Sequence, residues 1–376
     1  MVQVDRFRVG MIGFGVAKLY AAALRSIPLY YPDLPPVDLA AVATATEKSG
    51  EAAMKHFGFE RCTTNYHEIL DDKDINTVVI ASPPHLHREM TIAALQAGKF
   101  VYLDKPLANN FEEAQKIVAA SQASGRDAQL IFEYRHAPAV MTAKRMIAEG
   151  RLGDLYSFRI PYFRSSNVDA SRPAGWKGEM AKAGGGSLND TAPHAIDLAL
   201  WLAGMPDRVT ATTRIFVKER PRSKTDPQMV PVETDDHVIV QMEKENGYIG
   251  TVEASKLIVG AVNDIQVEVY GSKGSLRWNI MDPNYLEFAE ANASDLELGW
   301  RRIPTVQRYP DAAIPGYDLS VGMMRFHIAS LASFLRNTLE GKPYDPGLMQ
   351  GLRVQAVVEA SLKAAHDRCW VDVAKV

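Results

Sequence analysis

From residue 7 to residue 132 the chain alternates short apolar runs with amphipathic stretches. Residues 7–12 (FRVGMI) form an apolar run that ends at Gly13, and an Ala- and Leu-rich stretch over 16–27 follows at helical spacing. The same couplet recurs as 37–43 with 48–57, 77–81 with 86–97, and 100–103 with 111–124, and 128–132 closes the series. The run TVVIA at Thr77 is β-branched and unbroken, as a strand buried on both faces should be. Strands that alternate with helices predict a parallel sheet with right-handed crossovers.

Beyond residue 150 the strand-like runs alternate apolar with polar residues and are joined by tight turns, the pattern of antiparallel sheet. Residues 238–242 and 248–253 flank Asn246-Gly247, a hairpin signal because both residues tolerate positive φ. Residues 267–270 and 275–278 flank a Gly271 to Gly274 turn in the same way. Helical spacing returns over 190–203, 319–339 and 348–366, and the Pro-, Arg- and Lys-rich stretch 218–232 reads as an exposed excursion. The expected fold class is α/β. A parallel-sheet domain over 1–132 is followed by an α+β domain over 133–376, whose helices cover one face of a large, open, mainly antiparallel sheet.

At 376 residues the chain exceeds what one core usually fills, which agrees with two domains. The 42 basic and 45 acidic residues leave a net charge of -3 with no basic cluster, so neither nucleic acid nor an anionic membrane is an expected partner. No run approaches the roughly 20 apolar residues of a membrane helix, and no apolar leader precedes Gly13. Only Cys62 and Cys369 are present, without metal-ligand or redox spacing, which fits a reducing cytoplasm. A small molecule is the expected ligand.

The turn after the first strand reads GFGVAK, with Gly13 and Gly15 as the first two glycines of G-x-G-x-x-G and Lys18 in place of the third. Following a strand and opening a helix, it predicts dinucleotide binding. Gly13, Phe14, Gly15, Val16 and Ala17 would surround a pyrophosphate at the helix N-terminus. The second strand ends in ATATEKS, without the Asp of an NAD-preferring site. Thr44 and Thr46 as donors to a 2′-phosphate, with Lys48 or Lys18 as counter-charge, lean toward NADP, whereas Glu47 swinging in would restore NAD.

Three further segments, ASPPHLH at Ala81, LDKPLANNFEEA at Leu103 and GGGSLNDTAPHAIDLALWLAG at Gly184, resemble the Gfo/Idh/MocA family of oxidoreductases. EYRHAP at Glu133 and EGRLGDL at Glu149 are similar to that family's join between domains, and the similarity runs on to the C-terminal helix GLRVQAVVEASLKAA. The resemblance implies that hydride passes between C4 of NAD or NADP and a secondary alcohol or ketone of a sugar or cyclitol. It places Lys105 beside the nicotinamide and substrate, and Asp104 where relatives carry a Glu that contacts the nicotinamide ribose. Ser82 and Pro83 would wall the nicotinamide with His87 nearby, and Tyr134 would line the cofactor cleft next to Glu133, which replaces the usual Asn. Pro106 pushes Lys105 out of the helical region and projects its amine from the strand end.

Asp190 and His194 are spaced i, i+4, so one helix face would present both, and Gly184 to Gly186 would let backbone approach a ligand closely. Relatives use this pair at the substrate. Hydride leaves a carbinol carbon when the hydroxyl proton is being taken, a role that suits histidine with a pKa near ~6.5. The catalytic set is therefore Lys105, Asp190 and His194, with Arg164 and Trp176 as candidate substrate contacts and Asp197 and Trp201 as packing residues. Asp190 with His194, or His85 with His87, lack the third and fourth ligands of a metal site. Two other readings remain: tightly held NAD could serve transient oxidation in a lyase or glycosidase, or the dinucleotide could be a regulatory ligand. A regulator would not need Lys105, Asp190 and His194 together. The family also implies a homodimer or homotetramer formed through the open sheet face, which would otherwise expose apolar surface.

Overall fold

A computed structural model describes residues 4–305, 309, 312–314 and 320–376. The chain divides into two compact units that are not simple halves: 1–108, 112–136 and 309–352 form one, and 109–111, 137–308 and 353–376 the other. The sequence boundary at 132/133 differs from this grouping. The first unit runs on to His136 and regains residues 309–352.

In the first unit six strands run parallel in the order β3-β2-β1-β4-β5-β6. They are β1 Phe7–Ile12, β2 Val37–Ala43, β3 Arg61–Thr63, β4 Thr77–Ile80, β5 Phe100–Leu103 and β6 Ala128–Leu130. The helices are α1 Ala17–Tyr30, α2 Glu47–Phe57, α3 His67–Leu70, α4 His87–Gln96 and α5 Phe111–Ser124. Every residue of β4 is buried, as its unbroken β-branched run predicts. The reversal of strand order beside β1 puts the crevice outside the carboxyl ends of β1 and β4, where such sheets bind ligands. β3 is three residues long and has no apolar signature, so periodicity missed it.

The second unit holds a nine-stranded sheet in the order β16-β15-β14-β13-β7-β12-β11-β8-β17, antiparallel except for the β7–β12 pair. Its strands are β7 Leu155–Phe163, β8 Arg208–Arg214, β11 His237–Glu243, β12 Ile249–Ser255, β13 Asp264–Gly271, β14 Gly274–Asn279, β15 Tyr285–Glu290, β16 Arg301–Pro304 and β17 Val371–Asp372. A separate hairpin of β9 Glu219–Pro221 and β10 Met229–Pro231 occupies the predicted excursion. Helices α6 Pro138–Ala148, α7 Met180–Ala183, α8 Ser187–Asp190 and α9 Ala192–Ala203 belong to this unit. Periodicity missed β7, the central strand, because Ile160, Pro161 and Tyr162 are all buried and break the alternation.

Two expectations change here. The helix expected over 319–339 is α10, Met323–Glu340, and it packs on α1 in the first unit instead of on the antiparallel sheet; Leu319 itself lies outside the described residues. Tyr102 donates to Ser330 Oγ at 2.7 Å and Gln129 to Ser330 O at 3.0 Å, so polar bonds as well as apolar contacts hold α10 to β5 and β6. The open face of the second sheet is also not apolar along its middle. Arg159, Glu268, Arg277, Glu287 and Arg302 stand opposite one another across five strands, a row of alternating charge that cross-strand pairing favours.

Candidate active site

The first-unit residues gather where β1, β4 and β5 end. Gly13 adopts φ +85°, and a Cβ there would overlap the Ala81 carbonyl, so the turn between β1 and α1 requires glycine. Gly15 faces open space, and α1 starts at Ala17 with no capping side chain on Val16, which leaves its first N–H groups to an anion. The Phe14 ring packs edge-on against Phe57 at 5.3 Å and Phe59 at 5.9 Å, so this residue offers a ligand its backbone only.

At the end of β2 the hydroxyls are spent locally. Thr44 Oγ1 donates to Thr46 O at 2.8 Å, and Thr46 Oγ1 donates to Ser49 Oγ at 3.0 Å while capping α2 through Ser49 N. Each hydroxyl has one proton, and both are given to partners within this turn. Lys18, Glu47 and Lys48 are exposed.

His87 is wholly buried at the start of α4. Its Nδ1 lies 2.9 Å from Pro106 O and its Nε2 2.9 Å from Ser82 O, so one ring ties the loop after β4 to the loop after β5. Burial lowers its pKa, while the Asp104 carboxylate and the carbonyls it faces oppose the fall. His87, expected from the sequence near the cofactor, is thus enclosed by protein and links the two loops. Asp104 is buried as well; its Oδ1 accepts from the Tyr20 hydroxyl and from Lys105 N, each at 2.9 Å. Burial raises the Asp104 pKa, while Lys105, His87 and Tyr20 oppose the rise. Lys105 is half-buried, and Glu133 and Tyr134 are buried in the short turn after β6. The Ser82 Oγ is buried without a hydrogen-bond partner among the described residues, as a group reserved for a ligand would be.

The second-unit residues are assembled from four separate stretches. Pro193 has no N–H to continue the ladder, so the expected helix 190–203 is broken into α8 and α9 at Thr191. Asp190 ends α8 and His194 lies in the first turn of α9, buried, with its ring edge toward Tyr162 at 5.9 Å. Asp190 Oδ2 accepts from Lys177 Nζ at 2.9 Å and lies 3.6 Å from Lys256 Nζ. The Lys177 ammonium stands 5.4 Å from the Trp176 ring, which brings Trp176 beside Asp190. Arg164 is exposed, but its backbone bonds to Ser255 and Ile258 place it next to Lys256. The glycines before Asp190 serve the protein itself: a Cβ on Gly184 would overlap Asn109 O, and one on Gly186 would overlap Asp235 O. Trp201 packs under Lys144 of α6, and Asp197 is buried in α9, in keeping with packing roles. Sequence reasoning missed Tyr20, Lys177, Asp235 and Lys256, none of which lies in a motif.

Two family models match the chain. Residues 7–132 match the oxidoreductase family with an NAD-binding Rossmann fold, and residues 140–277 match the GFO/IDH/MocA C-terminal domain. The chain belongs to the Gfo/Idh/MocA family of oxidoreductases. It is 31% identical to levoglucosan dehydrogenase of Pseudarthrobacter phenanthrenivorans over 99% of its own length and 100% of the relative's. It is 27% identical to the NAD-dependent scyllo-inositol 2-dehydrogenase of Bacillus subtilis, over 70% of this chain and 73% of that one. Among solved structures, levoglucosan dehydrogenase in complex with NADH and levoglucosan superposes with a TM-score of 0.93 at 33% identity, covering 98% of this chain and 100% of that one. The family bears out the parallel-sheet and mixed-sheet architecture, the Rossmann assignment and the oxidoreductase class read from the sequence. No helix among the described residues is long and apolar enough to cross a membrane.

Proposed function

We propose that this member of the family oxidises a secondary hydroxyl of a sugar, anhydrosugar or cyclitol with NAD. The observation that carries the reading is the match along essentially the whole chain to a dehydrogenase solved with NADH and levoglucosan. The bound nicotinamide supplies the hydride acceptor. Gly13, Gly15 and the first N–H groups of α1 hold the pyrophosphate, Ser82 and Pro83 border the nicotinamide, and Tyr134 lines the cofactor cleft. His194 takes the substrate hydroxyl proton, Lys105 polarises the reacting oxygen, and Asp190 accepts from a substrate hydroxyl. Trp176 and Arg164 supply substrate contacts. NAD is preferred over NADP because Thr44 and Thr46 have no proton left to donate. The reading extends to a cytoplasmic protein that self-associates through the open sheet face.

The test is a panel of anhydrosugars, aldoses, inositols, sugar acids and amino sugars, offered with NAD and with NADP while absorbance of the reduced nicotinamide is followed. The expected result is turnover of a neutral polyhydroxylated ring, with a catalytic efficiency at least about tenfold higher for NAD. Equal or better efficiency with NADP would overturn the cofactor preference. No turnover of any compound by a chain that binds NADH would overturn the dehydrogenase reading.

A further inference from the structure

Lys256 follows β12 and is 4% exposed, and its ammonium lies 3.6 Å from Asp190 Oδ2. Burying a lysine is expensive unless a nearby anion offsets the cost. The nearest anion is Asp190. Lys177 approaches the same oxygen, Oδ2, from the half-exposed side, so two cations converge on one carboxylate oxygen from opposite depths.

The surroundings hold this arrangement in place. Lys256 N donates to Asp236 O at 3.1 Å, and Ser187 Oγ donates to the same carbonyl at 2.6 Å, which ties the Lys256 backbone to the start of α8. The other two acids nearby are committed elsewhere. Asp235 accepts from Gly186 N at 2.7 Å and Leu188 N at 2.9 Å, and Asp236 accepts from Phe216 N and Val217 N. Asp190 is therefore the acid whose side chain the two lysines share.

We propose that Lys256, with Lys177, is a positioning residue for the reaction: the pair fixes the Asp190 carboxylate as an ionised acceptor for a substrate hydroxyl. A carboxylate held by two ammonium groups is a poor base, so Asp190 orients substrate while His194 moves the proton. Burial lowers the Lys256 pKa first and Lys177 lowers it further, while Asp190, Asp235 and Asp236 raise it; these are the charged groups that face it. The proposal rests on the reading of Asp190 as a substrate residue.

A double-mutant cycle with the substrate found by the panel tests it. Lys256→Met is expected to lower kcat/KM about tenfold, within the range for residues coupled in one ion-pair network, with Lys256→Arg recovering part of the loss. The acid limb of the pH profile should move to higher pH, because a carboxylate with one cation fewer is protonated more readily. In an Asp190→Asn background Lys256→Met should cost almost nothing further. If the two losses multiply, Lys256 does not act through Asp190 and the inference is overturned. If Asp190→Asn alone leaves kcat/KM unchanged, the reading of Asp190 fails instead. Should Lys256→Met not fold, Lys177→Met at the half-exposed end of the clamp gives the same cycle.

Discussion

In the first unit the candidate site is held by backbone, and in the second by charge. His87 spans the carbonyls of Ser82 and Pro106, Asp104 accepts from Lys105 N, and Gly13 touches Ala81 O, so the residues that position Lys105 are neighbours in the sequence or one strand away. Asp190 is positioned by Lys177 and Lys256, 13 residues before it and 66 after it, through side-chain ammonium groups. A parallel sheet brings consecutive strand ends to one edge, so a motif in sequence becomes a site in space. A sheet with β7 in its middle draws its site from distant stretches, joined by charge and by bonds to Asp235 and Asp236.

The sharpest difference should appear in acid. His136 and His327 are buried in the first unit, and burial is the main cause that lowers their pKa values, to about 3 and about 4. Both stay neutral in the folded chain but take up a proton near pH ~6.5 when unfolded, so below that pH the unfolded state binds more protons and stability falls. Between pH ~6.5 and ~4 each costs about 1.4 kcal/mol per pH unit, and stability from this source is complete above ~6.5. Thermal melts across this window should show the loss, and His327→Phe should remove roughly half of it.

A smaller effect is expected from His87→Leu, which leaves a buried carbonyl unpaired and should cost about 2 kcal/mol. It should also slow turnover, because the loop that begins with Pro106 fixes Lys105. Chemical denaturation and steady-state kinetics together check this. Lost stability with unchanged kcat would mean that the strap is structural only.

The sequence made most of the first unit's parallel sheet legible, but not β3 or the return of α10 to this unit. Apart from β3, its strands read as largely apolar runs, and Gly13, Lys105 and Pro106 lie in contiguous motifs. The candidate pair Asp190 and His194 was visible from spacing, but the helix break at Thr191 was not, because Pro193 is compatible with the first turn of a helix. Lys177, in a short helical turn, and Lys256, just after β12, were illegible because a lone lysine looks solvated until the placement of α8 is known. The NADP lean rested on two threonine hydroxyls, and the local bonds from Thr44 to Thr46 O and from Thr46 to Ser49 Oγ are not visible in composition.

The most direct test of the account is the pair Lys105→Ala and His194→Ala, assayed for turnover and, by fluorescence, for NADH binding. Each should lower kcat about a hundredfold or more while NADH still binds, as expected when an acid-base or polarising group is removed and the cofactor cradle is left intact. Near-normal turnover in both variants would contradict it.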